Sequence, residues 1–293
     1  MINKFLGTGV AIVTPFRKDG SIDFKAFEKL IEKIIKGKVE YIVVLGTTGE
    51  VATLSKDEKN AILNFVVDTV NKRVPIVRGL GGYNTQESVN CLKTSSFDGI
   101  DAILSVTPYY NKPKQKGLYM HFKTIANNSP VPVILYNVPG RTGVNMAAET
   151  TLRLANDVKN IIGVKEASGN LSQIMTIIKN KPENFMVISG DDSITLPLIA
   201  AGAQGVISVV ANAYPFEFSE MVRLSLKGDF ERARAIHYKL IEFMDALFAD
   251  GSPAGIKAAL EIMKVCDANL RLPLLTVNKP TYNLLTDLIG EIK

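Results

Sequence analysis

Eight short apolar, β-branched runs recur along the chain, with amphipathic stretches between them. The runs are Val10 to Pro15, Tyr41 to Gly46, Pro75 to Leu80, Ala102 to Pro108, Pro132 to Pro139, Ile161 to Ser168, Phe185 to Asp192 and Gly205 to Asn212. Between them, apolar residues return at helical spacing, as in Asp23 to Lys36, Ser55 to Val70 and Leu171 to Lys179. Ser55 is placed to cap the second of these helices, and Glu58, three residues on, completes a capping box. Strands alternating with helices imply a parallel sheet, and eight is the number that closes a (β/α)8 barrel. The rival is a doubly wound open sheet, which would favour a glycine fingerprint after the first strand. Here that strand ends in Thr14-Pro15 and no such fingerprint follows. From about Phe216 the chain reads almost wholly helical, although a barrel needs only one helix there. The pattern therefore predicts an α/β fold: a (β/α)8 TIM barrel over residues 1–227 and a C-terminal helical extension over 228–293.

Composition narrows the function classes. The formal net charge is +5, but acidic and basic residues are interleaved, with no basic stripe to serve as a nucleic-acid footprint. A mild positive excess suits small anionic substrates. The two cysteines, Cys91 and Cys266, are far apart and show neither disulfide nor metal spacing. His121 and His237 stand alone on helical stretches, as packing or surface residues. So few Cys and His argue against zinc, while carboxylates leave a magnesium ion open. No apolar run reaches about 18 residues and no secretory leader pattern is visible, so a cytoplasmic protein without membrane contact is expected.

The most informative residue is Lys165, at the end of the apolar run Ile161-Ile162-Gly163-Val164-Lys165. A charged side chain in a buried strand is costly unless it is paired or loses its proton. A deprotonated lysine is a nucleophile that forms Schiff bases with carbonyl compounds. The plain alternative is a strand-end lysine with its head in water. In a barrel the active site lies at the C-terminal strand ends. Those ends carry Gly46-Thr47-Thr48-Gly49-Glu50, Thr107-Pro108-Tyr109-Tyr110-Asn111, Tyr136-Asn137-Val138-Pro139 with Arg141, and Gly190-Asp191-Asp192. Each has an ordinary reading: a glycine turn, a tyrosine bonded to a carbonyl, a loop ion pair, a helix cap. Together they meet the needs of a 2-oxo acid. Lys165 supplies an amine for the carbonyl, Thr47 and Thr48 supply donors for the carboxylate, and Tyr136 supplies a proton shuttle.

At these motifs the chain resembles the dihydrodipicolinate synthases, within the N-acetylneuraminate lyase family of Schiff-base aldolases. The resemblance spans essentially the whole chain. It implies condensation of pyruvate with aspartate 4-semialdehyde in lysine and diaminopimelate synthesis, with no metal or organic cofactor, in a homotetramer. It implies that Lys165 forms the Schiff base and that Thr47, Tyr136 and Tyr110 relay protons, Tyr110 from a neighbouring subunit. Thr48 would hold the pyruvate carboxylate and Arg141 that of the semialdehyde. Gly190 and Ile207 would line the pocket. The family's allosteric lysine site maps to Ala52, Leu54, Lys56, Tyr83, Glu87 and Tyr109. Tyr83 replaces an asparagine there, and Lys56 and Lys59 replace histidines. Added positive charge should weaken binding of a cationic effector, so weak or absent lysine inhibition is expected. The stretch Gly251-Ser252-Pro253-Ala254-Gly255 is less proline-rich than the family pattern.

Two other readings stay open. A related aldolase acting on a sugar acid would share Lys165 and Tyr136 and differ in its acceptor. Arg141 suits a small charged acceptor better than a neutral sugar. A non-catalytic sensor of pyruvate or lysine would be marked by loss of the lysine or the tyrosine, and both are present.

Overall fold

A computed structural model describes residues 2–292. Met1 and Lys293, the outer ends of the two expected segments, lie outside the described residues. The strands are β1 Gly7–Ala11, β2 Tyr41–Val44, β3 Ile76–Gly79, β4 Ala102–Val106, β5 Val133–Asn137, β6 Ile161–Glu166, β7 Met186–Ser189 and β8 Gly205–Ser208. They close in sequence order into a barrel, with β1 pairing both β2 and β8 in parallel. The helices through the barrel are α1 Phe24–Lys36, α2 Lys56–Val70, α3 Thr85–Thr94, α4 Gln115–Asn128, α5 Pro139–Thr142, α6 Ala148–Asp157, α7 Leu171–Asn180, α8 Thr195–Ala200 and α9 Pro215–Leu226. Beyond them come α10 Phe230–Ala246, α11 Ala254–Ile262 and α12 Lys279–Glu291. Gly228, at φ +83°, turns the chain between α9 and α10.

The local signals explain the element ends. Ser55 accepts from the Glu58 backbone N–H at 3.2 Å, and the Glu58 carboxylate accepts from the Ser55 N–H at 2.8 Å. This is the expected capping box. Asp23 caps α1 without the reciprocal bond, accepting from the Ala26 N–H at 3.1 Å. The first strand differs from expectation. It begins at Gly7, three residues before the apolar run, and ends at Ala11. Glycine carries no strand propensity, so this start is invisible to pattern reading. Space requires it: a Cβ on Gly9 would lie 2.2 Å from the Tyr41 ring. That ring fills the barrel axis and meets Phe5 edge-on, with centroids 5.6 Å apart.

The C-terminal helices do not hang free. Phe243, Leu260 and Leu285 share one apolar core with Phe27, Ile42 and Val10 of the barrel. A buried ion pair joins the same two parts. Lys257 on α11 is fully buried, and its Nζ donates to Glu50 at the end of the β2 loop and to the Asn269 carbonyl at 2.8 Å. The other Glu50 oxygen accepts from the Arg271 N–H at 3.1 Å. The Arg271 guanidinium forks onto Glu58 and holds that carboxyl down to about 2. Breaking one partner of a buried pair leaves an uncompensated charge, at about 3–5 kcal/mol. Lys257→Met should therefore lower the thermal midpoint sharply. The double variant Glu50→Gln/Lys257→Met should recover most of the loss, measured by calorimetry of the three proteins.

Candidate active site

The β5–β6 register builds the centre of the site. Tyr136 is paired with Lys165, and Asn137 with Glu166. Side chains alternate along a strand, so paired neighbours share a face. Tyr136 and Lys165 point into the barrel mouth, and the Lys165 Nζ lies 4.3 Å from the Tyr136 ring centroid. Lys165 is 6% exposed and forms no ion pair among the described residues. Asn137 and Glu166 point the other way. Glu166 accepts from Asn137 Nδ2 and from Ser168 Oγ at 2.6 Å, while Asn137 Oδ1 accepts from the Met146 N–H at 2.9 Å. Burial raises the Glu166 carboxyl above its usual range against these hydrogen bonds. The web pins the ends of both strands from behind. Gly190 completes the setting: a Cβ there would come within 2.9 Å of Lys165 Cε and 2.6 Å of Ala167 Cβ. The lysine stem needs that gap.

The β2 loop brings the hydroxyls. Leu45 is left-handed at φ +58°, and Thr47–Gly49 form one 3-10 turn. Glu50 is left-handed too, at φ +53°, and is held there by Lys257 and Arg271. Thr14 Oγ donates to the Gly49 carbonyl at 2.7 Å, tying the turn to the segment after β1. Arg141 rides on α5, started by Pro139, and stays exposed without an ion pair among the described residues. One cavity of about 510 Å³ is lined by Thr47, Thr48, Tyr136, Arg141, Lys165 and Gly190. Met244 and Phe248 of the C-terminal extension close one wall.

Other expected residues lie elsewhere. Ile207 is buried in the barrel core and does not line this cavity; Val209, two residues on, does. Tyr110 is 88% exposed, at φ +67°, and is absent from the cavity of its own chain. A second cleft of about 540 Å³ collects Ala52, Lys59, Tyr83, Glu87 and Tyr109. Thr47 and Tyr136 line both spaces. Leu54 is buried in the core, and Lys56 faces a different groove, so neither joins that cleft. Among the described residues no cluster of three or more His, Cys, Asp or Glu could hold a metal ion. No helix among them is long and apolar enough to cross a membrane.

Pattern reading missed two supporting groups. Lys257 sits in an apolar helix, the same signal that exposed Lys165, and is the other half of the Glu50 clamp. Asp192 does not cap α8. One of its oxygens accepts from the Val209 and Val210 N–H groups at 2.9 Å each, tying the β7 and β8 ends together. Its other oxygen is buried with no hydrogen-bond partner among the described residues, and burial raises the carboxyl to about 6.

A closed parallel barrel with a buried, unpaired amine over a tyrosine at its C-terminal mouth is the arrangement of a Schiff-base, aldolase-type lyase. The comparisons agree. Residues 4–292 match the Dihydrodipicolinate synthetase family model. The chain is 54% identical to the 4-hydroxy-tetrahydrodipicolinate synthase of Parabacteroides distasonis, over 98% of this chain and 96% of that protein. A crystal structure of dihydrodipicolinate synthase from Thermotoga maritima superposes with a TM-score of 0.96 at 39% identity, covering 99% of each chain. The lysine-bound enzyme of Cyanidioschyzon merolae superposes at 0.95, with 37% identity over 99% of this chain and 98% of that one. This chain belongs to the dihydrodipicolinate synthetase family.

The Asp192 environment has a pH signature. Its folded value, about 6, exceeds the ordinary 3.8. The stability it contributes is complete below pH 3.8 and is lost as pH rises through about 6. Two units correspond to about 3 kcal/mol. Asp192→Asn keeps an oxygen for both N–H groups and has no proton to lose. Urea titrations across pH 4 to 7 should show wild type losing stability relative to Asp192→Asn as pH rises. Parallel curves would reject the assignment.

Proposed function

We propose that the chain acts as a 4-hydroxy-tetrahydrodipicolinate synthase, condensing pyruvate with L-aspartate 4-semialdehyde in lysine and diaminopimelate synthesis. The observation that carries this reading is the unpaired Lys165 amine, buried against Tyr136 and facing a cavity lined by two threonines and one arginine. The Lys165 amine attacks the keto carbon of pyruvate. Water leaves, and an imine joins them. The Thr48 side holds the carboxylate. Loss of a methyl proton, taken up through Tyr136 and Thr47, gives an enamine that attacks the aldehyde carbon of the semialdehyde. The new alkoxide regains a proton by the same route. The amine of the adduct then displaces Lys165 as the ring closes. The imine itself withdraws the electrons, so the chemistry calls for no metal or organic cofactor.

Arg141 favours the charged acceptor over a neutral sugar. It is exposed, unpaired and on the cavity rim, free to meet a carboxylate bidentately. The assembly we infer is a cytoplasmic homotetramer, in which Tyr110 completes the relay of a neighbouring copy. Support comes from the resemblance and from the near-complete exposure of Tyr110. Residues 2–227 would be the catalytic barrel and 228–292 its helical extension.

Borohydride added with pyruvate should trap a covalent adduct on Lys165, and turnover should follow with the semialdehyde but not with N-acetylmannosamine. Turnover with the sugar alone would keep the Lys165 chemistry and overturn the acceptor. Arg141→Ala should trap pyruvate normally and lose roughly 10- to 100-fold in kcat/KM for the semialdehyde, the worth of a charged hydrogen bond. Equal loss in both assays would remove Arg141 from its role.

Regulation by lysine should be weak. Lys59 stands in the second cleft beside Glu87, so an incoming cation meets a like charge. Tyr83 packs edge-on against Tyr109, with centroids 5.4 Å apart. Lysine below 1 mM (roughly, set by like-charge repulsion) should leave the initial rate nearly unchanged. Half-inhibition in that range would refute this expectation.

A further inference from the structure

Arg78 is a buried cation that the proposed chemistry does not use. It sits on β3, where Val77 points into the barrel and Arg78 outward, toward α2 and α3. Its side chain is 5% exposed. Nη2 donates to two weak acceptors, Cys91 Sγ and Ser95 Oγ, each at 3.3 Å. Nε and Nη1 are buried and have no protein acceptor among the described residues. Among the described residues no carboxylate lies within ion-pair distance of it. The nearest aromatic support is the Phe97 ring, 5.3 Å from the guanidinium carbon.

A charge left in this state costs several kcal/mol unless something pairs with it. Three N–H donors in a planar fork match an oxyanion in geometry and charge. The surroundings are built for one. Arg78 forms part of a groove of about 530 Å³ between α2 and α3, separate from the Lys165 cavity. Asn60 and Asn64 of α2 and Thr94 and Ser95 at the end of α3 offer neutral donors along it, and Lys56 adds a second positive charge. Two carboxylates, Asp68 and Asp98, also reach the groove. Both are solvent-exposed, and Asp98 already accepts from Ser96 Oγ at 2.9 Å.

We propose that the α2–α3 groove binds a small oxyanion on Arg78, with Ser95 as a second donor. The site is separate from the Lys165 cavity, and Arg78 also borders the second cleft, where Cys91 and Glu87 line the same wall.

Inorganic phosphate is the probe. Thermal midpoints are measured for wild type, Arg78→Met and Ser95→Ala against phosphate, with sodium chloride at matched ionic strength. Wild type should rise by about 4 °C once phosphate exceeds its Kd about a hundredfold. Arg78→Met should not respond. In phosphate-free buffer its midpoint should equal or exceed that of wild type, because a close-fitting apolar side chain replaces an unpaired charge. Ser95→Ala should need several-fold more phosphate for the same rise. Phosphate chemical shift and line width in 31P NMR should change with wild type and not with Arg78→Met. That second reading covers the case in which the variant is too poorly folded for a melting comparison. Equal phosphate responses in wild type and Arg78→Met would overturn the proposal, as would no wild-type response beyond chloride.

Discussion

The buried pair between Glu50 and Lys257 is the contact on which the rest of the molecule leans. It connects residues 207 positions apart and joins the β2 loop to α11. Two charges removed from water are tolerated only when every remaining donor and acceptor is met. Here Asn269 supplies a carbonyl to the lysine and Arg271 an N–H to the carboxylate. Phe16 lies beneath both cations, 4.2 Å from Lys257 Nζ and 4.5 Å from the Arg271 guanidinium carbon. A hydrophobic contact can slide; a satisfied ion pair has one register. The left-handed Glu50 is therefore fixed in space, and Thr47 and Thr48 just before it inherit that position. The helical extension thus borders the Lys165 cavity, and it contributes Met244 and Phe248 to the wall.

A second constraint is the parity of the strands. Lys165 and Tyr136 share a face only because β5 and β6 pair without slip at their C-terminal ends. The register does shift lower down, between Val133 and Ile134, and is regular from there to the mouth. A one-residue slip would send the amine outward and Glu166 inward. Asn137 and Glu166 resist that slip from behind by bonding each other and the segment around Met146. Their polar web would be lost before the lysine moved. The motif residues beside Lys165 and Tyr136 are better understood as register locks than as reactants.

Much of this was legible in the residues. Eight apolar runs gave the strand count, and the capping box at Ser55 and Glu58 marked a helix start to the residue. Lys165 stood out because its charge contradicts the run that carries it. The missed features have a common cause. Gly9 sits in the first strand because the Tyr41 ring needs the space, a demand made by a residue more than thirty positions away. Lys257 showed the same contradiction as Lys165, but its partner lies across the fold. Lys56 and Lys59 shared one role in the resemblance, yet Lys56 lines the α2–α3 groove and Lys59 the second cleft. Local pattern reveals elements and exceptions; pairing between distant exceptions appears only in three dimensions.

The division of labour within the site bears on its specificity. The amine, its tyrosine and the threonine loop sit on strand ends or are clamped by buried charges. Arg141 stands exposed on a four-residue helix, and Thr47 and Asp245 are other exposed polar residues of the lining. Chemistry common to every acceptor needs rigid placement, because an imine forms only with the amine correctly aimed. Discrimination between acceptors needs one charged group that the wrong acceptor leaves unsatisfied. A barrel of this kind can change acceptor by altering α5 and its neighbours while Lys165 and its register lock stay unchanged. In the proposed function the fold and the amine carry the reaction type, and Arg141 is the group that favours a charged acceptor.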